Sequence, residues 1–131
     1  MIKKILLTLI TLQLFAFANF QDIDAKQLET LQANNTPVID IRTPEEWKET
    51  GVIPGAHKIM FFDEQGNYDV NKFLTALYKV APDKNKPIII YCRTASRTKV
   101  VGDFLSKQVG YKEVKELNGG IMFGWKGKLV K

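Results

Sequence analysis

The chain has 131 residues, of which 45% are hydrophobic and 25% are charged, and its formal net charge at pH 7 is +5. This size and composition fit one globular domain with its own core and exclude a disordered chain. The lysines are scattered rather than gathered into a dense basic patch with interleaved aromatic residues, so we expect no nucleic acid partner.

The first eighteen residues have the pattern of a secretory signal peptide. A short positive start precedes an apolar stretch over residues 5–17, and Ala16 and Ala18 are the small residues at alternate positions that a signal peptidase accepts. About 20 apolar residues are needed to cross a bilayer, so a retained membrane anchor is the weaker alternative. We predict cleavage after Ala18, one domain over residues 19–131, a periplasmic or secreted location, and no stable membrane association after cleavage.

Beyond residue 18, hydrophobic periodicity predicts strands and helices in alternation. In chain order these are a strand over 20–23, a helix over 25–33, a strand over 38–41, a short helix from 44, a strand over 58–62, a helix over 70–80, a strand over 88–91, a helix over about 96–108, a strand over 114–117, and a last helix that carries Met122, Phe123 and Trp125. Asp24 is a predicted N-cap, Pro44 occupies a first helical position, and Gly110 lies where the fourth helix is expected to end.

This alternation predicts an α/β fold, with a mostly parallel sheet and helices on both of its faces. The segment from Ile88 to Tyr91 is uniformly apolar, as expected for a central strand that is covered on both sides. The helix that follows it is expected to bury Val100, Val101, Phe104 and Leu105.

The only cysteine of the chain, Cys92, follows this central strand directly, at the edge of the sheet where sites of α/β proteins lie. Unpaired N–H groups at the start of the next helix, a curled loop and the cations Arg93 and Arg97 would together stabilise a thiolate. An unpartnered cysteine in an exported protein is either buried and inert or kept for its reactivity. We favour the reactive interpretation, since a thiolate is the nucleophilic form.

Four segments resemble the rhodanese family, the sulfurtransferases that carry sulfur as a cysteine persulfide. The segment Cys92–Thr98 resembles the active-site loop of that family, and Asp40–Trp47 resembles its first strand-and-turn signature. Gly51–Ala56 is close to its Gly-His-Ile-Pro-Gly-Ala stretch, with Val52 in place of the usual histidine. Leu117–Gly120, followed by Trp125, resembles its closing segment. The resemblance implies a sheet of about five mostly parallel strands flanked by helices on both faces.

The resemblance also implies an activity. Cys92 would take the outer sulfur of a small anionic donor such as thiosulfate and pass it to cyanide or a thiol, or to a protein acceptor, without a cofactor. The residues implied in substrate binding are Arg93, Thr94, Ala95, Ser96, Arg97 and Thr98. Asp40 and Arg42 are expected to support the site structurally. Metal ligation has no support, because one cysteine and one histidine do not make a metal site.

Two details of the loop bear on this activity. Many family members have glycine at the position of Ala95, and alanine there costs free energy if the backbone needs a positive φ. Four residues separate Cys92 from Arg97, whereas cysteine phosphatases place five residues before the arginine, at the position of Thr98. The shorter loop favours sulfur transfer. A non-catalytic persulfide carrier remains the first alternative, and a cysteine phosphatase or arsenate reductase the second.

The individual side chains of the loop have competing interpretations. Arg93 either attracts an anionic donor or is an exposed loop cation. Arg97 is expected to brace the loop or to pair with an acid such as Asp40 or Glu46. The hydroxyls of the loop either donate to the sulfur or cap the helix.

Overall fold

The structure, a computed structural model, describes residues 19–131 and shows a five-stranded sheet. The predicted signal peptide, residues 1–18, lies outside the described residues. The strands are β1 (Asn19–Ile23), β2 (Val38–Asp40), β3 (His57–Lys58), β4 (Ile88–Tyr91) and β5 (Glu113–Leu117). All neighbouring strands are parallel, in the order β1-β5-β4-β2-β3. The predicted α/β class and five-stranded parallel sheet are confirmed.

Helices connect the parallel strands. They are α1 (Ala25–Ala33), α2 (Pro44–Thr50), α3 (Val70–Val80), α4 (Ser96–Phe104) and α5 (Gly120–Gly124), and one π-helical turn, Leu105–Val109, continues α4. The turn ends at Gly110, whose φ of 97° is accessible to glycine at little cost. Within residues 19–131, every helix is too short or too polar to span a bilayer.

Local hydrogen bonds explain why the first helices begin where the sequence predicts. The Asp24 side chain accepts a hydrogen bond from the Gln27 N–H at 2.8 Å, and the Gln27 side chain accepts one from the Asp24 N–H at 2.9 Å. Thr43 and Glu46 form the same reciprocal capping box at α2. Each box satisfies N–H groups that have no partner within the helix, which stabilises the helix by about 1 kcal/mol.

The core is divided by the sheet into two layers. Side chains of β4 alternate between them, so that Ile88, Ile90 and Cys92 lie in one layer and Ile89 and Tyr91 lie in the other. Helices α3 and α4 cover the first layer, and α1 and α5 cover the second. Each fully buried aliphatic side chain of this strand contributes about 1.5–3 kcal/mol to folding. The strand that leads to the cysteine is therefore held rigidly from both faces.

Two predictions about individual elements are wrong in detail. Val100 is 58% exposed although burial was expected, because α4 presents Thr98, Val101 and Gly102 to the sheet. The regular strand β3 ends at Lys58, not at residue 62, because β2 beside it ends at Asp40. The chain nevertheless continues along the same path beyond β3, with N–H groups donating to the carbonyls at the end of β2.

Candidate active site

Cys92 lies at the carboxyl edge of the sheet, immediately after β4. Its side chain has no exposed surface (0%). The Ile121 N–H donates to the Cys92 carbonyl at 2.9 Å, and Cys92 Sγ lies 3.7 Å from Thr98 Oγ1. The backbone of Cys92 is thus tied to α5, and its thiol lies against Thr98 in the first turn of α4. A substrate reaches this sulfur only when neighbouring side chains or the loop move.

The loop after Cys92 turns sharply into α4. Arg93 and Thr94 are exposed, whereas Ala95 is buried and adopts the left-handed conformation, with φ 69° and ψ 10°. This is the conformation that favours the glycine of other family members, and for alanine it costs about 1–2 kcal/mol. Ser96 begins α4, and no side chain caps this helix.

The tight turn after Cys92 leaves four consecutive backbone N–H groups without an acceptor in the part of the chain that the structure describes. Among residues 19–131, no carbonyl or side chain accepts a hydrogen bond from the backbone N–H groups of Arg93, Thr94, Ala95 and Ser96. Consecutive free N–H groups at a turn and a helix start form a concave site for an anion. The loop can therefore receive negative charge without rearranging its own hydrogen bonds.

Arg97 is engaged by an acid from another helix. Its guanidinium donates to both carboxylate oxygens of Glu46 in α2, at 2.6 and 2.8 Å, and both side chains are partly buried. Burial alone would raise the pKa of Glu46, but the hydrogen bond and charge of Arg97 outweigh it and lower that pKa below its usual range. This bidentate pair ties the start of α4 to α2.

Asp40 and Arg42 form a second ion pair, which is fully buried at the end of β2. Arg42 Nη2 lies 2.8 Å from Asp40 Oδ2, and Nε also donates to this carboxylate. Burial would lower the pKa of Arg42, but the hydrogen bond and charge of Asp40 raise it. The same guanidinium donates to the Gly51 carbonyl at 2.8 Å and to Thr50 Oγ1. Arg42 therefore joins β2 to the start of the Gly51–Ala56 segment.

A cavity of about 500 Å³ opens beside the apolar layer that contains Cys92. Ile59, Phe61 and Phe73 belong to both the cavity wall and this layer, and the side chains of Lys58 and Lys72 also line the cavity. The lining also includes Asp63 and Asp69, so the cavity has an apolar wall next to the cysteine layer and carries charges of both signs.

The sequence did not predict two features, namely the contact between Gly120 and the loop and the burial of Glu116. Gly120, at φ +64°, packs against the backbone of Arg93 and Thr94, and Glu116 is buried in β5. The burial of Glu116 could have been predicted from the sequence. Glu116 follows the buried Val114 by two positions, so both side chains lie on the same face of the strand. Within residues 19–131, no group of three or more His, Cys, Asp or Glu side chains is arranged to hold a metal ion.

The fold and the loop define a class: α/β domains with a cysteine in a tight loop at the carboxyl end of the central parallel strand. The chain belongs to the rhodanese-like domain family, whose model matches residues 24–128. A rhodanese domain-containing protein of Drosophila melanogaster is 33% identical over 79 residues, which cover 59% of this chain and 70% of that protein. The family supports sulfur transfer, in general, as the chemistry of this fold.

Two further proteins are similar to this chain, one in sequence and one in fold. The tRNA uridine(34) hydroxylase of Chlamydia felis is 29% identical over 113 residues, covering 77% of this chain and 32% of that protein. The chain therefore spans about a third of the length of this relative. The polysulfide-sulfur transferase homodimer of Wolinella succinogenes has the same fold, with a TM-score of 0.57 and 24% identity over 81% of this chain and 73% of that chain.

Proposed function

We propose that the protein is a sulfurtransferase that moves a sulfane sulfur from a small anionic donor such as thiosulfate to cyanide or a thiol. Cys92 carries the sulfur as a persulfide. The observation that carries this proposal is the set of free backbone N–H groups in the four-residue loop that follows the buried cysteine. These donors suit the negative charge of a persulfide.

The transfer has two steps. The Cys92 thiolate attacks the outer sulfur of thiosulfate, a new S–S bond forms on Sγ, and the old S–S bond breaks with its electron pair leaving on sulfite. Cyanide or a thiolate then attacks the outer sulfur of the persulfide, and the bond to Sγ breaks with its electron pair returning to the cysteine. Such double displacement predicts ping-pong kinetics.

The loop arginines support sulfur transfer over phosphate chemistry. Arg97 is occupied by Glu46 and braces the loop, and the position of the phosphatase arginine holds the buried Thr98. Arg93 is exposed, where its charge attracts an anionic donor. The remaining loop side chains, Thr94 and Ser96, are exposed hydroxyls at the mouth of the loop.

One observation favours a carrier that hands its sulfur to a protein. Met122 and Phe123 are exposed large side chains of α5, and the Met122 N–H donates to the Arg93 carbonyl at 3.0 Å. An exposed apolar pair beside the loop suits contact with another protein surface. In this second candidate function, a protein thiol takes the sulfur and thiosulfate is turned over slowly.

Replacement of Cys92 by serine tests the proposal. With thiosulfate and cyanide, the wild-type protein is expected to form thiocyanate, and C92S to form none, because a serine hydroxyl cannot hold the sulfur. Intact-mass measurement after incubation with thiosulfate is expected to show an addition of about 32 Da on the wild type only. Adduct formation without thiocyanate would favour the carrier. Hydrolysis of an aryl phosphate by wild type but not C92S would contradict sulfur transfer as the function.

We also propose a periplasmic or secreted location, on the basis of the N-terminal sequence. The N-terminus of the protein isolated from a host that exports it is expected to be Asn19. An intact N-terminus at Met1 in a membrane fraction would instead indicate a retained anchor, and an intact chain in the cytoplasm would contradict export.

A further inference from the structure

Two large apolar side chains are exposed beside the cysteine loop. Met122 is 52% exposed and Phe123 is 70% exposed, and both belong to α5. The Met122 N–H donates to the Arg93 carbonyl at 3.0 Å, so α5 is joined directly to the loop that follows Cys92. Phenylalanine, methionine and arginine are all enriched in protein–protein interfaces relative to the rest of the surface. Met122 and Phe123 therefore form the apolar centre of a candidate interaction surface.

The segment that follows α5 is held against the domain by hydrogen bonds. Trp125 Nε1 donates to the Lys128 carbonyl at 3.0 Å, and Val130 pairs with Val52 through two backbone hydrogen bonds, at 2.7 and 2.9 Å. Lys126 and Lys128 are exposed within this segment. Their positive charges are therefore fixed close to α5.

The excess positive charge of the domain lies in this same part of the chain. Residues 19–118 contain equal numbers of basic and acidic residues, 14 of each, whereas residues 119–131 contain three lysines and no acidic residue. The C-cap of α2 packs against this segment, and the last turns of that helix contribute Lys48 and Glu49, whose charges offset each other. Arg93 adds an exposed cation on the loop. The apolar pair on α5 therefore has a cationic border.

We propose that the α5 surface docks an acidic protein whose thiol accepts the sulfur that Cys92 carries. The α5 surface consists of Arg93, Met122, Phe123, Lys126 and Lys128. This inference rests on the proposed sulfur-transfer function and names the class of its protein acceptor. The thiolate of the docked partner attacks the outer sulfur of the persulfide, and the bond to Sγ breaks with its electron pair returning to the cysteine.

Charge complementarity selects an acidic protein as the occupant. An apolar centre with a charged border is the common anatomy of a protein–protein interface. Opposite charge on the partner speeds its encounter with this surface and disfavours basic proteins. An anionic lipid surface is the competing occupant, but α5 has only five residues and supplies two exposed apolar side chains. These bury much less apolar area in a bilayer than the amphipathic helices that bind membranes.

The test compares K126E/K128E, on the α5 surface, with K79E/K86E at the opposite edge of the sheet. Lys79 lies in the last turn of α3 and Lys86 precedes β4, so both exposed lysines are at the amino end of the strand that leads to Cys92. The two variants change the net charge equally. The acceptors are two short peptides with one cysteine and leucines, one rich in glutamate and the other rich in lysine. Protein loaded with thiosulfate is mixed with each peptide, and the gain of about 32 Da on the peptide is followed by mass.

With the glutamate-rich peptide, K126E/K128E is expected to transfer sulfur about tenfold more slowly than the wild type. With the lysine-rich peptide it is expected to be faster by a similar factor, because the attraction changes sign. K79E/K86E is expected to stay within about twofold of the wild type with both peptides, because salt screens distant exposed charges. Rates of different variants are compared for one peptide at a time, so the intrinsic reactivity of its cysteine cancels.

Phe123→Ser supplies the apolar arm. It is expected to slow transfer to both peptides, because both carry leucines, and to leave thiocyanate formation from thiosulfate and cyanide unchanged. Equal rates in K126E/K128E and K79E/K86E, or unchanged transfer in F123S, would overturn the proposal. Sedimentation of the wild type but not of K126E/K128E with phosphatidylglycerol vesicles, together with equal transfer to the two peptides, would identify a lipid surface and also overturn it.

Docking is also measured without sulfur chemistry. A dye-labelled glutamate-rich peptide with serine in place of its cysteine is expected to bind the wild type and K79E/K86E more tightly than K126E/K128E, as followed by fluorescence anisotropy. Equal binding to all three proteins would overturn the proposed docking. A wild type that takes up no sulfur on Cys92 refutes the proposed function separately, because this binding needs no persulfide.

Discussion

Replacing Asp40 with asparagine is expected to destabilise the domain by about 3–5 kcal/mol. The change removes the charge that neutralises the Arg42 guanidinium, which is 1% exposed and lies in contact with Asp40 at 2.8 Å. An uncompensated buried cation is far more costly than a lost surface ion pair. Natural domains of this size have only about 5–15 kcal/mol of stability, so a large share is lost. Urea denaturation followed by tryptophan fluorescence measures the change in the free energy of unfolding.

The exposed pair of Asp103 and Lys107 is the matched control. These side chains lie 2.8 Å apart at i and i+4 and are 54% and 72% exposed, respectively. Asp103→Asn is expected to cost no more than about 0.5 kcal/mol, because water screens the charges. If D40N and D103N shift the denaturation midpoint equally, the contribution that we assign to the buried pair is wrong.

Replacing Gly120 with alanine is expected to destabilise the domain by about 2–4 kcal/mol and to reduce sulfur transfer strongly. A Cβ at Gly120 would lie 2.7 Å from the Thr94 backbone nitrogen and would overlap the Arg93 carbonyl group. Backbone atoms cannot rotate away as a side chain can, so the loop must move. Because the residues after Gly120 donate to the carbonyls of Cys92 and Arg93, this movement disturbs the cysteine itself. Thiocyanate formation and urea denaturation measure the two effects.

Gly66→Ala separates backbone strain from the clash. Gly66 also has a positive φ, +81°, but a Cβ there would meet nothing within 4 Å. Its replacement is expected to cost about 1–2 kcal/mol and to leave sulfur transfer unchanged. Equal losses of stability in G120A and G66A, with activity retained in both, would show that the contact between Gly120 and the loop is unimportant.

The ion pairs Arg42–Asp40 and Arg97–Glu46 connect family motifs that lie far apart in the sequence. Arg42 connects the end of β2 to Gly51, and Arg97 connects the start of α4 to Glu46. Both connections converge on the carboxyl edge of the sheet, where Cys92 lies. Each of these sequence motifs is weak evidence for the family by itself, but together they form one structure that supports the thiol.

Features that depend on neighbours a few residues away could be predicted from the amino-acid sequence. Asp24 as an N-cap and Pro44 at a first helical position predicted the starts of α1 and α2, and the apolar run of β4 identified the central strand. Capping and strand alternation act over three or four residues, so they can be recognised in the sequence. The loop that follows Cys92 was identified in the same way, from local spacing and a family resemblance.

Contacts between groups that are distant in the sequence depend on the packing of the whole domain. The sequence offers both Asp40 and Glu46 as partners for Arg97, and the packing of α2 against α4 brings Glu46, 51 residues away in the chain, into contact with it. The positive φ of Ala95 follows from the path that the loop takes into α4. The burial of Glu116 depends on the placement of β5 between β1 and β4 under α4. Long-range packing fixes these contacts, since no local hydrogen bond or periodicity encodes them.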